Sequence, residues 1–391
     1  MLGLNNAQTY DATSFLPGLI ADADAERVAP AWSPEDSYHE VIARCLRSLC
    51  DGVGFSAAQR DAAVSLMCML APWGERAIGA RPAGQSDITD EHFPIEFSVA
   101  FEDGEPEIRV LFEAQADQFV QAELWRAGWE VCDALRDGCG VSLDRLHQIA
   151  DLFEPTDPAC RYAMWHCVCF SKSGPPKFKV YLNPLAQGAE QAPRVVHEAL
   201  VRLGFSAALG DVFNDAAVGE LRFFSLDLSA REDARVKVYR VHSDSTRDQI
   251  SAWLRCVPSY DDAFVDRFWQ IIAGDTMRFS RFPVSTYISL DSRSSHPNAA
   301  TIHFPVRSYA NDDLDAYNRI RAFMGPEEMA LYDQALTGFA KRSLSSGVGL
   351  QAYVAVRIHP GAQHTTVYLS PEAYEVAPVQ KVVREGLRVV S

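Results

Sequence analysis

The sequence has little positive charge, no long apolar run and no recognisable leader. Its 391 residues carry 36 Lys and Arg against 52 Asp and Glu, a net charge of −16, whereas a nucleic-acid partner needs a basic surface. No stretch approaches the roughly 18 consecutive apolar residues of a membrane span. The first 13 residues also lack the basic and apolar parts of a secretory signal. We therefore expect a cytoplasmic protein that binds neither nucleic acid nor membrane.

The chain also lacks a disulfide framework and a convincing metal motif. Its nine cysteines are odd in number and irregularly spaced, which favours free thiols in a reducing compartment. His166-Cys167-x-Cys169 resembles part of a zinc site, but alternation along a strand would point the histidine away from both cysteines. Two acidic pairs are interpreted as helix N-termini and not as magnesium ligands. They are Asp261-Asp262 and Asp312-Asp313.

A repeat runs through the sequence, in which two amphipathic helical stretches precede two strand-like runs, five times over. Turn-rich links such as Asp103-Gly104-Glu105-Pro106 separate the two strands of a pair. The predicted strand pairs are 95–101 with 107–113, 163–170 with 177–183, 220–226 with 235–241, 284–290 with 301–306, and 350–357 with 365–369. The predicted helices include 38–50, 57–70, 119–135, 143–152, 313–324 and 326–339.

The tripeptide Lys-Val-Tyr occurs twice, at 179–181 and 237–239, and each copy follows a cation two residues earlier. On a strand the cations and the tyrosine share one face, while apolar residues such as Val180 and Val238 take the other. If helices cover the apolar face, the cations and tyrosines line a barrel lumen suited to an anion with an apolar group. We predict an α+β fold in which ten antiparallel strands close into a barrel with helices outside. One or two open sheets with a wet face are the alternative.

These features resemble the dimethylallyltryptophan synthase family of indole prenyltransferases, whose barrel is built from ααββ units and is called the ABBA fold. The resemblance covers about residues 35–375 and is carried by short motifs on successive hairpins. They are Pro94-Ile95-Glu96-Phe97-Ser98, Lys179-Val180-Tyr181 with Asn183-Pro184, Arg235-Val236-Lys237-Val238-Tyr239, Thr301-Ile302-His303-Phe304-Pro305-Val306 and Val367-Tyr368-Leu369-Ser370-Pro371. The compact length is similar to that of the bacterial branch. The resemblance implies one barrel domain over 36–376, an N-terminal extension over 1–35 and a C-terminal tail over 377–391.

The resemblance implies that the enzyme ionises dimethylallyl diphosphate, so cations must stabilise the departing diphosphate. By motif position these cations are Arg109, Lys179, Arg235 and Lys237. Aromatic faces would hold the allylic cation without quenching it. The matching tyrosines are Tyr181, Tyr239, Tyr353 and Tyr368. Thr301 and His303 stand where fungal relatives carry glutamine and tyrosine, and with the cations in place we expect no metal ion and no cofactor.

Three further residues are implied for an indole acceptor. Glu96 matches the family's glutamate that accepts the indole N–H and raises the nucleophilicity of the ring. His166 stands where some relatives carry a lysine proposed as the final base, and the ordinary histidine pKa near 6.5 suits that role. Arg222 matches an arginine that binds the carboxylate of a free amino acid, which favours L-tryptophan.

The expected activity is therefore dimethylallyl transfer to the indole ring of L-tryptophan, with C6 as the expected carbon and N1 or C4 as alternatives. The same chemistry on another indole, a tryptophan-containing peptide, tyrosine or a phenol stays open. So does a non-catalytic barrel that binds a phosphorylated metabolite. The expected partners are the small-molecule substrates, and the expected assembly is a monomer or a homodimer.

Overall fold

The structure of the protein is a computed structural model that describes residues 28–102, 104–359 and 364–380. The predicted extension over 1–35 and tail over 377–391 lie largely outside these ranges. The strands are β1 (Ile95–Glu102), β2 (Glu105–Glu113), β3 (Met164–Ser171), β4 (Lys177–Leu182), β5 (Glu220–Asp227), β6 (Val236–His242), β7 (Ser245–Thr246), β8 (Arg278–Phe279), β9 (Val284–Leu290), β10 (Ala299–Phe304), β11 (Gln351–Ile358) and β12 (His364–Leu369).

Ten of these strands close into a barrel in the order β1-β12-β11-β10-β9-β6-β5-β4-β3-β2. Each neighbouring pair is antiparallel, and β7 and β8 form a small separate sheet. The prediction of a closed ten-stranded antiparallel barrel is confirmed, and the open-sheet alternative is wrong. The fourth hairpin differs from the prediction, since β10 ends at Phe304 because Pro305 has no N–H for the ladder.

Helices surround the barrel, as predicted. They are α1 (Tyr38–Gly52), α2 (Ala57–Leu70), α3 (Gln121–Cys139), α4 (Asp144–His147), α5 (Ala150–Phe153), α6 (Ala192–Arg202), α7 (Leu209–Val212), α8 (Arg247–Leu254), α9 (Asp262–Phe268), α10 (Asp313–Phe323) and α11 (Pro326–Phe339). The predicted helix 143–152 is two short helices, because the backbone at Ile149 leaves the helical conformation. None of the helices in the described ranges combines the length and apolar character that a bilayer span requires.

The two acidic pairs begin helices, as predicted. The Asp261 side chain accepts hydrogen bonds from the backbone N–H groups of Ala263 and Phe264 at the start of α9. The Asp312 side chain accepts from the N–H of Asp315 at the start of α10. Both carboxylates therefore satisfy unpaired N–H groups at a helix N-terminus.

Apolar and polar side chains alternate along the strands, so the outer face of the barrel wall is apolar and the inner face is polar. On β4, Phe178 and Val180 are buried in the hydrophobic core that also includes the helices. Lys179 and Tyr181 alternate with them and line the lumen. The apolar face drives the closure of the barrel by burial, which leaves the inward face free to carry charge and aromatic rings.

Candidate active site

The predicted cations lie together in one part of the lumen. Arg109, Lys179 and Lys237 line a cavity of about 380 Å³. Arg357 on β11 lines a second cavity of about 260 Å³, which shares Arg109 with the first. Arg235 lies two residues before Lys237 and close enough to lower its pKa. The alternation of β11 could have predicted Arg357, which our motif-based assignment did not include.

Three acids hold two of these cations in place. Arg109 donates hydrogen bonds to Glu107 and Glu102, each at 2.6 Å, and Arg235 donates to Asp227 at 2.8 Å. Burial alone would raise the pKa of each carboxyl group, but the guanidinium groups outweigh it and hold all three pKa values below their usual range. Both arginines therefore carry fixed carboxylate partners.

The two lysines are held differently. In the described ranges, no carboxylate oxygen lies within ion-pair distance of Lys179 or Lys237. Burial lowers the pKa of Lys237 to about 8, with Tyr287 opposing the change, and the Lys237 ammonium lies 5.0 Å from the centroid of the Tyr287 ring. Burial would also lower the pKa of Lys179, but Cys169 outweighs it and the pKa is raised. Both ammonium groups are therefore charged at neutral pH and available to an anion.

A chain of aromatic rings crosses the lumen next to these cations. The centroid separations are 5.9 Å for Tyr181–Tyr239, 4.6 Å for Tyr239–Tyr287, 5.6 Å for Tyr287–His303 and 5.1 Å for His303–Tyr368. Tyr287 was not predicted, because none of the matched motifs includes β9. Its place beside Tyr239 follows from the pairing of β6 with β9. The ring faces form a water-poor belt that attracts cations.

Tyr353 and Thr301 complete this part of the lumen. Tyr353 lies 6.2 Å from Tyr368, measured between ring centroids, and extends the belt toward the far end of the barrel. Thr301 lines the smaller cavity together with His303. Its hydroxyl group is buried and lies near the Tyr287 hydroxyl, whose pKa it helps to lower. Thr301 can therefore donate its one hydrogen bond to Tyr287 or to a ligand.

Glu96 lies toward the opposite end of the lumen from the arginine–carboxylate pairs. Glu96 on β1 lies opposite Leu111 on β2, and the residue is 6% exposed. Burial raises the pKa of Glu96 to about 8, with Arg307 opposing the rise and Asp90 adding to it. Aromatic and apolar side chains form a small cluster at this end of the lumen. They are Ile88, Leu111, Tyr162, Trp165, Tyr181 and Phe223.

Arg307 also lies near Glu96, and it was not predicted as a site residue. Its guanidinium lies 4.4 Å from the Phe282 ring centroid and 4.2 Å from that of Tyr353. It pairs with Asp90 through two nitrogen atoms and donates to the Tyr353 hydroxyl at 3.1 Å. Arg307 therefore fixes one tyrosine of the belt and already has a carboxylate partner.

Arg222 occupies a bulge in β5. The bulge lies between Leu221, which packs in the core beneath the helices, and Phe223, which faces the lumen. The Arg222 carbonyl accepts a hydrogen bond from the Tyr162 hydroxyl at 3.0 Å. In the described ranges no carboxylate oxygen lies within ion-pair distance of the Arg222 guanidinium. Unlike Arg307, it is available to a carboxylate from a ligand.

His166 does not face the lumen. His166 on β3 lies opposite Val180 on β4, and the Val180 side chain points outward into the core. Its ring lies 5.5 Å from the Phe112 ring, and its Nε2 atom lies 3.3 Å from the Cys132 sulfur on α3. Burial lowers the pKa of His166 to about 3. The prediction that His166 is the final base is wrong, because the hairpin register places it on the outer face.

The pKa of Glu96 predicts a pH dependence. A protonated Glu96 carries no negative charge to share with an indole N–H and is a weaker acceptor, and because its pKa is raised to about 8, the acid form dominates at neutral pH. We expect kcat/KM for the indole acceptor, measured at saturating donor, to rise with pH through about 8. Glu96→Gln should remove this rise, and a wild-type profile that is flat between about pH 6 and 9 would contradict the assignment.

A closed ten-stranded barrel whose lumen carries cations, a belt of aromatic rings and a buried carboxyl group is the architecture of a barrel prenyltransferase. The sequence model of a family described as tryptophan dimethylallyltransferase matches residues 35–335. The chain belongs to this family.

Three solved structures show the same similarity. A 6-dimethylallyl tryptophan synthase is 33% identical, with a TM-score of 0.82 over 88% of this chain and 99% of that one. The 6-dimethylallyltryptophan synthase of Micromonospora olivasterospora, in complex with DMASPP and Trp, is 32% identical, with a TM-score of 0.81 over 88% and 99%. The 5-dimethylallyltryptophan synthase of Streptomyces coelicolor is 29% identical, with a TM-score of 0.81 over the same shares.

Proposed function

We propose that this enzyme transfers a dimethylallyl group from dimethylallyl diphosphate to C6 of L-tryptophan. One observation carries the proposal. The lumen places unpaired lysines at one end, a carboxyl group at the other and a belt of aromatic rings between them. The lysines suit the diphosphate head of a donor, the aromatic belt suits its allylic tail, and the carboxyl group suits the N–H of an indole acceptor.

In the proposed reaction, the allylic C–O bond breaks and its electron pair goes to the diphosphate. Lys179 and Lys237 stabilise the charge that develops there, and Arg109 and Arg235 add to the positive field. The Thr301 hydroxyl lines the smaller cavity and can donate to a phosphate oxygen. The allylic cation then lies against the tyrosine belt, which stabilises it and keeps water away.

The indole ring then attacks the cation. Glu96, as carboxylate, accepts the indole N–H, so electron density on the ring rises as the new C–C bond forms. The ring proton must leave to restore aromaticity. His166 lies outside the lumen, and the pKa of His303 is lowered to about 3 by burial and by Lys237. We therefore assign this proton to the departing diphosphate, which is the stronger base.

We propose that the chemistry needs no metal ion. Five cations from four hairpins approach the donor cavities: Arg109, Lys179, Arg235, Lys237 and Arg357. Three acids offset part of this charge, and the surplus remains positive. Fixed ammonium and guanidinium groups can perform the charge stabilisation that magnesium performs in other diphosphate enzymes.

The relatives support C6 as the attacked carbon. Two structures named for position 6 are 33% and 32% identical to this chain, and the structure named for position 5 is 29% identical. The named activities belong to those proteins, and the small difference in identity makes C5 the main competing outcome.

One assay tests this function. The enzyme is incubated with dimethylallyl diphosphate and L-tryptophan, in parallel with EDTA and with magnesium, and the product is identified by mass spectrometry and NMR. We expect dimethylallyl-tryptophan substituted at C6, formed at similar rates in both samples. A product at C5 or C4 would overturn the position, and loss of activity in EDTA that magnesium restores would overturn the metal-free mechanism.

Arg222 decides between L-tryptophan and acceptors without a carboxylate. If its guanidinium binds the amino-acid carboxylate, Arg222→Ala should raise KM for tryptophan about tenfold or more, the loss of a charge-assisted hydrogen bond. KM for tryptamine or indole should change little, because neither has a carboxylate. Equal effects on all three would remove this role and favour a different indole, a peptide or a phenol as acceptor.

We also propose a cytoplasmic location and a monomeric or homodimeric state. All nine cysteines are free thiols, which fits a reducing compartment. Light scattering on the purified enzyme would measure the oligomeric state.

A further inference from the structure

Cys167 and Cys169 form a pair of thiols in the wall of the donor cavity, and the transfer reaction does not use them. Both lie on the inner face of β3, and their sulfur atoms are 3.8 Å apart. Cys167 lines the 380 Å³ cavity with Lys179 and Lys237. With His166 on the outer face, these thiols cannot share a metal ion with it, so the motif that resembled a zinc fragment is a dithiol.

Cations flank this dithiol on both neighbouring strands. Cys167 pairs with Lys179 on β4, and Cys169 pairs with Arg109 on β2. Positive charge stabilises a thiolate, which is the reactive form of cysteine. A hydrogen bond from Cys167, aided by Lys179, lowers the pKa of Cys169 to about 7, although burial opposes it.

The other buried thiols are in a different environment. Burial raises the pKa of Cys50 and of Cys132 to about 12, and both lie in the core. Cys139 is exposed but has a raised pKa. Reactivity follows thiolate character and access. Cys167 borders the cavity that admits the donor, and Cys169 lies against it, so a peroxide in this cavity can reach the pair.

We infer that Cys167 and Cys169 are a redox-active pair that hydroperoxides oxidise to a disulfide, and that this oxidation reversibly inactivates the enzyme. The Cys169 thiolate attacks the peroxide oxygen, the O–O bond breaks, and a sulfenic acid and hydroxide form. The Cys167 thiol then attacks that sulfur and expels water. Two thiols are oxidised and one hydroperoxide is reduced, with no further reactant.

Forming this bond requires a local movement of the β3 backbone, and this requirement makes the bond labile. Residues i and i+2 of a strand have Cα atoms about 6.6–6.8 Å apart, which is near the upper limit of about 6.8 Å for disulfides. A bond at this limit is strained and easily reduced. Its formation would draw the sulfur atoms together and displace the cavity wall beside Lys179, so donor binding should suffer.

Peptide mapping tests the inference without relying on turnover. Trypsin cleaves after Arg161 and Lys172, which leaves both thiols and no other cysteine in peptide 162–172. After treatment with hydrogen peroxide and blocking of free thiols, we expect this peptide to be lighter than its reduced form by two hydrogen atoms and to escape the blocking reagent. A peptide that stays reduced, or that carries sulfinic acid without a disulfide, would overturn the inference.

Activity measurements complete the test. Peroxide should remove most of the wild-type activity, and dithiothreitol should restore it. Cys139→Ser should behave as wild type, whereas Cys169→Ala should lose no dithiothreitol-reversible activity relative to its own untreated rate. Loss that persists in Cys169→Ala, or that disappears in Cys139→Ser, would assign the oxidation elsewhere and overturn the inference.

Inorganic diphosphate should protect peptide 162–172 from oxidation, because it would fill the cavity through which peroxide reaches the thiols. The protection experiment rests on the proposed donor site. Calorimetric binding of diphosphate separates a failure of the donor site from a failure of the redox inference. If diphosphate binds but gives no protection, the dithiol is not reached through the cavity and the inference fails. If diphosphate does not bind while the disulfide still forms, the proposed donor site is wrong and the redox inference is supported.

Discussion

Replacing Lys237 or Lys179 with alanine should lower kcat by about 100-fold or more, the typical loss when one fixed donor to a developing negative charge is removed. Each ammonium is buried in the lumen and has no carboxylate within ion-pair distance among the described residues, so its charge can act on the departing diphosphate, although that of Lys179 also acts on Cys169. Burial has already removed water that could replace the lost ammonium. The measurement is steady-state kinetics with dimethylallyl diphosphate and L-tryptophan.

Lys177→Ala is the matched control for Lys179→Ala. Lys177 lies two residues earlier on the same face of β4, but 63% of its side chain is exposed and its ammonium lies 3.7 Å from a Glu107 carboxylate oxygen, so its charge is screened by water and partly offset. We expect at most a few-fold effect on kcat for this variant. If Lys177→Ala costs as much as Lys179→Ala, or if the two lumen variants keep near-normal turnover, the diphosphate site is placed wrongly.

Glu96→Gln should also lower kcat by about 100-fold, in the range for a group that assists proton and charge movement in the transition state. The amide preserves the shape of the side chain but carries no charge to share with the indole N–H. Donor binding should persist, because the lysines are unchanged. The measurement pairs kcat with calorimetric binding of inorganic diphosphate.

Glu91→Gln is the matched control for Glu96→Gln. Glu91 is a buried glutamate five residues earlier, and it accepts hydrogen bonds from Ser370 and from the N–H groups of Ala373, Tyr374 and Glu375. Its replacement should cost about 2 kcal/mol of unfolding free energy with little change in kcat. If Glu96→Gln instead lowers stability and keeps wild-type turnover, Glu96 has a structural role.

The fold could be predicted from sequence because its determinants are local. Each hairpin carries its own turn residues and its own alternation of apolar and polar side chains, as in the run from Lys177 to Leu182. The barrel closes once five such units bury their apolar faces on the same side. Lys179 and Tyr181 were placed in the lumen by the same alternation. These predictions needed no information about which strands pair.

His166 shows where this reasoning stops. Alternation along β3 correctly separated it from Cys167, but the choice of the inner face required the register between β3 and β4. A shift of one residue exchanges the two faces of a strand. The link between these strands, residues 172–176, does not define that register by its composition, and the motif match to a family lysine led to the wrong face.

Other site residues were missed because long-range contacts define them. Tyr287 joins the belt through the pairing of β9 with β6. Arg307 lies after β10 and acquires its place from Asp90, far away in sequence. The acids Glu102 and Asp227 are a different case, because each lies within the same hairpin as the arginine that it holds. They were missed because the matched motifs do not include them.

A ternary structure with dimethylallyl thiolodiphosphate, in which sulfur replaces the bridging oxygen and prevents turnover, and L-tryptophan tests the central claim most directly. The account predicts diphosphate oxygens within hydrogen-bond distance of Lys179 and Lys237. It places the dimethyl tail against Tyr239 and Tyr287, and the indole nitrogen beside Glu96 with C6 nearest the allylic carbon. A diphosphate bound outside the lumen, or an indole whose nitrogen points away from Glu96, would contradict it.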